Sequence, residues 1–144
     1  MNKGTFEIFN QTAESIPFGK EELVYVIELI QERENRNFYR VEVVFVDDNE
    51  ILEINSRYLG HDYVTDIITF PYHDDNAPVE GTLFCCITQI KRQSQELNTR
   101  FKTEVLRVVI HGLLHLVGHV DTTDFQRDQM HALENKYIKF FQDS

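Results

Sequence analysis

The chain has 144 residues, a length that suits one domain spanning 1–144. With 42% hydrophobic residues it can bury a real core, and no apolar run reaches the roughly 18 residues of a membrane span. A formal charge of −10 argues against a protein that coats nucleic acid by charge alone, although Lys91-Arg92 and Arg100-Phe101-Lys102 leave room for a local basic groove.

Met1 to Glu7 has neither the basic start nor the apolar stretch of a secretory signal, so a cytoplasmic location is expected. Thr5 to Asn10 alternates and reads as a short strand. Lys20 to Glu34 reads as a helix with Leu23, Ile27 and Ile30 on its buried face. Val41 to Val46 is rich in β-branched residues and reads as a second strand. Asp48 can cap a helix through about Tyr58, with Ile51, Ile54 and Tyr58 inward. Asp66 to Tyr72 and Gly81 to Ile87 read as strands, separated by a loop through Pro78. Cys85 and Cys86 are adjacent in the latter strand, so their side chains point to opposite faces and a mutual disulfide is not expected.

Thr88 to Leu97 reads as a helix, and a longer one follows from about Thr103 to Val117. Thr123 and Gln126 form a capping-box pattern for a last helix to about Phe141, with Leu133, Tyr137 and Phe140 as its apolar stripe. Four strands and about five helices predict a small α+β domain, one sheet with helices packed on it. The helix from Val105 through Leu116 is apolar nearly all round and should therefore be central and buried.

That helix carries the chemistry. His111 and His115 are four residues apart, so they share one face, one turn apart. The spacing lets both imidazoles reach one zinc ion at ~2.0–2.1 Å. Gly118 follows three residues after His115, and Asp121 three residues after that. The helix can stop at the glycine and the chain can return with a third donor. Three protein ligands with a fourth position open describe a catalytic zinc site rather than a closed structural one. The histidine spacing and the glycine match the metzincin protease pattern, but Gly112 stands where those proteases hold their glutamate base. Peptidase chemistry is therefore disfavoured.

The segment His111-Gly-Leu-Leu-His-Leu-Val-Gly118 resembles the signature of the YbeY family of bacterial rRNA-maturation endoribonucleases, H-G-x-L-H-L-x-G followed by a third zinc ligand. Asn55-Ser-Arg-Tyr58 through Asp62, Thr65-Asp66 and Phe70-Pro71 resembles a second block of that family, and Gly81-Thr-Leu-Phe a third, weaker one. The resemblance implies a single-domain α+β fold, one zinc ion, and cleavage of single-stranded RNA linked to 16S rRNA maturation and ribosome quality control. The partners it implies are single-stranded RNA or rRNA and the ribosome or small-subunit proteins, with neither DNA nor membrane. Three positions depart from the pattern. The more usual third ligand is histidine, where this chain has Asp121. The arginine after the tyrosine is Leu59, and the aspartate of the third block is Thr82. His111, His115 and Asp121 are carried over as metal ligands, and no catalytic side chain is assigned.

Geometry separates Asp121 from His119. On a continuous helix His111 and His119 would lie ~12 Å apart along the axis. Two ligand atoms of one zinc are only about 3–4 Å apart. The third donor must come from chain that has turned back, and His119 directly follows the turn with little chain in which to return. Asp121 is therefore expected to ligate the metal and His119 to lie beside the cleft or exposed.

Metal-assisted phosphodiester cleavage is the expected reaction, because zinc can lower the pKa of a bound water toward ~7 without a dedicated base. Two other readings stay open: a metal-dependent hydrolase of amides, and a non-enzymatic ribosome-associated protein with a structural zinc. Arg107 shares the His111 face and is expected either to line the approach to the metal or to pair with Glu104 on a solvated edge. His61, His73 and His131 receive no role, and solvent exposure is expected for His61 and His73.

Overall fold

The computed structural model describes residues 4–142. In chain order the elements are β1 (Thr5–Asn10), α1 (Lys20–Glu34), β2 (Phe38–Val46), α2 (Asp48–Ile54), a π-helical turn (Asn55–Leu59), β3 (Ile67–Pro71), β4 (Val79–Cys86), α3 (Ile87–Glu96), α4 (Phe101–Leu116) and α5 (Asp124–Gln142). The strands form one sheet in the order β1-β2-β4-β3. β1, β2 and β4 run parallel, and β3 closes the far edge antiparallel to β4. This is the α+β architecture expected from the alternation of patterns.

The two central strands are buried on both faces, which explains their near-continuous apolar runs. Val41, Val43 and Phe45 of β2, with Leu83 and Cys85 of β4, join the main core beneath α1, α4 and α5. Val44, Val46 and Cys86 face the other way and pack with Ile68 of β3 and Ile51 of α2. Cys85 and Cys86 thus lie on opposite faces, and both are free thiols. Burial pushes each thiol's pKa up, which keeps both inert.

α4 is the centre of the molecule. Ten of its residues are buried, including Val105, Val109, Leu113 and Leu116. It lies close on the sheet because two glycines leave room. A Cβ on Gly81 would come within 2.6 Å of Leu116, and one on Gly112 within 2.6 Å of Ile67 and 3.0 Å of Leu83. α4 ends in a left-handed turn. Gly118 takes φ 106°, and the amide of His119 donates to the Leu114 carbonyl at 3.0 Å. α5 starts on the capping box: the Gln126 amide donates to Thr123 Oγ1, and Gln126 Oε1 accepts from the Thr123 amide.

Three details differ from the sequence reading. β2 and β4 begin earlier, at Phe38 and Val79, because those residues are partners in one register and are both buried. Asp47, not Asp48, caps α2, accepting from the Glu50 amide at 3.0 Å. Asp48 turns instead to Arg92 and Thr88. Tyr58 is 63% exposed rather than inward. The π-helical turn adds residues to the last coil, so Asn55 becomes the buried side chain and Tyr58 rotates outward.

Candidate metal centre

His111 and His115 project from the last turns of α4, and the turn at Gly118 brings Asp121 back over them. One donor atom from each residue lies within 4.8 Å of the other two. The two Nε2 atoms are 2.9 Å apart. Asp121 Oδ2 is 3.3 Å from His111 Nε2, and its Oδ1 is 3.5 Å from His115 Nε2.

Each ring's other nitrogen is already committed. His115 Nδ1 is 2.9 Å from the backbone carbonyl of His119, which can only accept, so this nitrogen carries the proton. His111 Nδ1 is 2.7 Å from Glu134 Oε2, and the ionised carboxylate accepts there in the same way. In the neutral rings, both Nε2 atoms then turn unprotonated lone pairs toward each other and toward a carboxylate. Three acceptors converge without a donor among them. Such a group is suited to hold a cation, and separations near 3 Å are compatible with neighbouring ligands on one tetrahedral ion. The donor set of two imidazoles and a carboxylate suits zinc.

Glu134 is the residue that sequence reasoning missed. It reaches His111 from α5 with a side chain only 6% exposed, and it also accepts from Arg107 Nη1 at 3.1 Å. Burial lowers the pKa of the His111 ring, but the hydrogen bond and charge of Glu134, helped by Asp121 and Asp66, outweigh it. The ring's pKa is held above the ordinary histidine value. A signal for Glu134 was present: it shares the buried stripe of α5 with Met130, Tyr137 and Ile138, where an acid is out of place unless it has a partner.

Arg107 does not line the approach to the metal. It points to α5, bonded to Glu134 and to Asn135 Oδ1 at 2.8 Å, with Glu104 more distant at 3.9 Å. Nor is this a solvated edge, since Glu104 is buried. His119 sends its ring to Glu34 Oε1 at 2.9 Å and serves the centre only through its carbonyl. His131 is exposed. His73 is half-buried rather than solvated, because its Nδ1 meets the backbone of Glu80 on β4. His61 is exposed, as expected, yet it lines the cleft.

That cleft, of about 570 Å³, has the three acceptors on one wall. Asn55 and Leu59 of the π-helical turn, and His61, Tyr63 and Asp66 of the loop that follows it, are among the other lining residues. Asn55 donates through Nδ2 to the Tyr63 carbonyl at 2.9 Å, while its Oδ1 is buried without a partner.

A family model described as Endoribonuclease YbeY matches residues 8–142. A protein named Endoribonuclease YbeY from Bacteroides fragilis is 38% identical over 119 residues, covering 83% of this chain and 85% of that protein. Another of that name, from Chlorobium phaeobacteroides, is 37% identical over 134 residues, covering 93% and 95%. A solution structure of a Thermotoga maritima protein matches with a TM-score of 0.68 at 30% identity, over 94% of this chain and 87% of that one. The chain belongs to the Endoribonuclease YbeY family.

Proposed function

We propose that this protein is a zinc-dependent endoribonuclease, specific for single-stranded RNA, acting with the ribosome in 16S rRNA 3′-end maturation and quality control. The enzyme class follows from the family, whose members carry endoribonuclease in their names. The observation that supports the metal is the convergence of three acceptors, His111 Nε2, His115 Nε2 and Asp121, with no donor among them. A bound zinc ion would supply Lewis acidity toward a phosphoryl oxygen and activation of water.

The chain's own residues prepare the site for that ion. Glu134 and the His119 carbonyl hold the two protons on Nδ1, so both Nε2 lone pairs aim into the cleft. Asp121 makes the loaded site one charge unit less positive than three neutral histidines would. Only three donors gather there among the described residues, which leaves room for substrate and favours catalysis over a closed structural site. Among the described residues, no helix is long and apolar enough to cross a membrane. A cytoplasmic location agrees with ribosomal RNA as substrate.

Cleavage of a single-stranded RNA with and without chelator is the test, run beside casein. RNA cleavage that stops with chelator and returns with zinc is expected, with casein untouched. Cleavage of casein, or RNA cleavage indifferent to chelator, would overturn the reading. Replacing His111 with alanine should abolish both zinc binding and RNA cleavage.

A further inference from the structure

We propose that His61 and Tyr63 form a stacking platform for a nucleobase of single-stranded RNA, in the cleft that also holds His111, His115 and Asp121. The inference rests on the RNA reading above and adds how this chain holds its substrate. The two rings stack with centroids 5.1 Å apart and planes 14° from parallel. Tyr63 is 56% exposed, and both residues line the same cleft as His111, His115 and Asp121.

Exposed aromatics on a loop are ordinarily free to move, but these two rings are tied to each other and their backbone to the π-helical turn. The Tyr63 hydroxyl meets His61 Nδ1 at 3.1 Å. The Tyr63 carbonyl is pinned by Asn55, itself 1% exposed in the π-helical turn. Gly60, at φ 69°, reverses the chain just before them. The result is a preorganised aromatic surface whose outer side has solvent for a neighbour. Each base has a π-face, so such a surface accepts any sequence, but only when the base is not already stacked in a duplex.

The charge of the cleft favours such a platform. No lysine or arginine lines the cleft among the described residues, whereas Asp66 and Asp121 both do. Leu59 occupies the position where the family resemblance leads one to expect arginine. Arginines outside the cleft pair with carboxylates, Arg107 with buried Glu134 and, on the surface, Arg57 with Glu53 and Arg127 with Asp124. Backbone phosphates therefore meet little positive charge from the protein, and stacking has to supply much of the grip. Affinity for RNA should then depend only weakly on salt, with a log–log slope well below the ~0.7 per phosphate contact of a multi-contact electrostatic site.

The test measures binding of a short, fluorescently labelled, single-stranded 2′-O-methyl RNA to the zinc-loaded full chain, which keeps binding apart from cleavage. Tyr63→Ala should weaken binding about tenfold or more and raise KM for RNA cleavage with little change in kcat. Tyr63→Trp should restore both, and zinc content and melting temperature should match in all three proteins. If the wild type binds and Tyr63→Ala binds within about twofold of it, the platform is refuted while the RNA reading stands. A Tyr63→Trp as weak as Tyr63→Ala would also refute it. If the wild type binds no single-stranded RNA and cleaves none, the RNA reading itself fails.

Discussion

Replacing Glu134 with alanine should loosen both the fold and the metal, through two separable interactions. The buried carboxyl accepts from His111 at 2.7 Å and from Arg107 at 3.1 Å. Hydrogen bonds to a charged group contribute ~1.5–3 kcal/mol each, and removing one partner of a buried ion pair costs ~3–5 kcal/mol. Arg107 keeps Asn135 and is 22% exposed, so water relieves part of the loss. The low end, about 3 kcal/mol, is the expected destabilisation of metal-free protein. The effect on the metal has another origin. Without Glu134 the His111 ring can carry its proton on either nitrogen and can rotate. Loss of such a supporting acceptor lowers metal affinity about 10- to 100-fold, or ~1.4–2.8 kcal/mol. Glu134→Gln offers one acceptor to two donors, so it should fall between wild type and alanine on both scales. Urea unfolding of chelator-treated protein reads the first effect, and zinc competition against a chromophoric chelator reads the second. If Glu134→Ala loses stability but holds zinc within about twofold of wild type, the assigned role in orienting His111 is wrong.

Asp121→Ala should weaken zinc binding strongly, Asp121→His should keep it, and His119→Ala should barely change it, since that ring faces Glu34. Metal analysis of the purified variants checks this, and a zinc-free His119→Ala beside a loaded Asp121→Ala would reverse the assignment. The raised pKa of His111 sets a pH trend in metal-free protein. Its contribution is complete below the unfolded histidine value of about 6.5 and is lost as pH rises through the higher folded value. The urea midpoint of chelator-treated protein should therefore drop as pH rises above about 6.5, less so in Glu134→Gln, and a rise over that range would contradict the geometry. Asp48 runs the opposite way. Chiefly through the Arg92 hydrogen bond, its pKa is lowered from 3.8 to about 2. Asp48→Asn should lower stability at neutral pH, and the difference from wild type should shrink as pH falls below 3.8 and through about 2. Urea titrations of both proteins across that range decide it.

Much of this was readable in the sequence for a plain reason: periodicity reports burial, and burial reports neighbours on the same element. The apolar run around His111 and His115 placed these two histidines on a central helix, and Gly118 marked where the chain turns. What could not be read was partnership between elements distant in sequence. From α4 alone Arg107 sees Glu104, one turn away, but Glu134 arrives from α5 and takes the shorter contact. Tyr58 was misplaced because a π-helical turn breaks the 3.6-residue phase without changing composition. The loop lining of the cleft was invisible for a related reason. His61 and Tyr63 sit in a loop, where no period indicates which way a side chain points.

The close seat of α4 on the sheet also bears on what this scaffold could become. A β-carbon at residue 112 would run into Ile67 and Leu83, so the position between the two histidines looks into the core. A glutamate there would be driven under β3 and β4, far from water. The shortest mutational route from this site to a metzincin-like protease is therefore closed by packing. New acid–base groups would have to enter from the loop across the cleft, near Leu59 and His61, where substitutions leave the core untouched. On this fold the loop is the side of the cleft with room for new side chains, and packing against Ile67 and Leu83 denies that room to residue 112 of the helix.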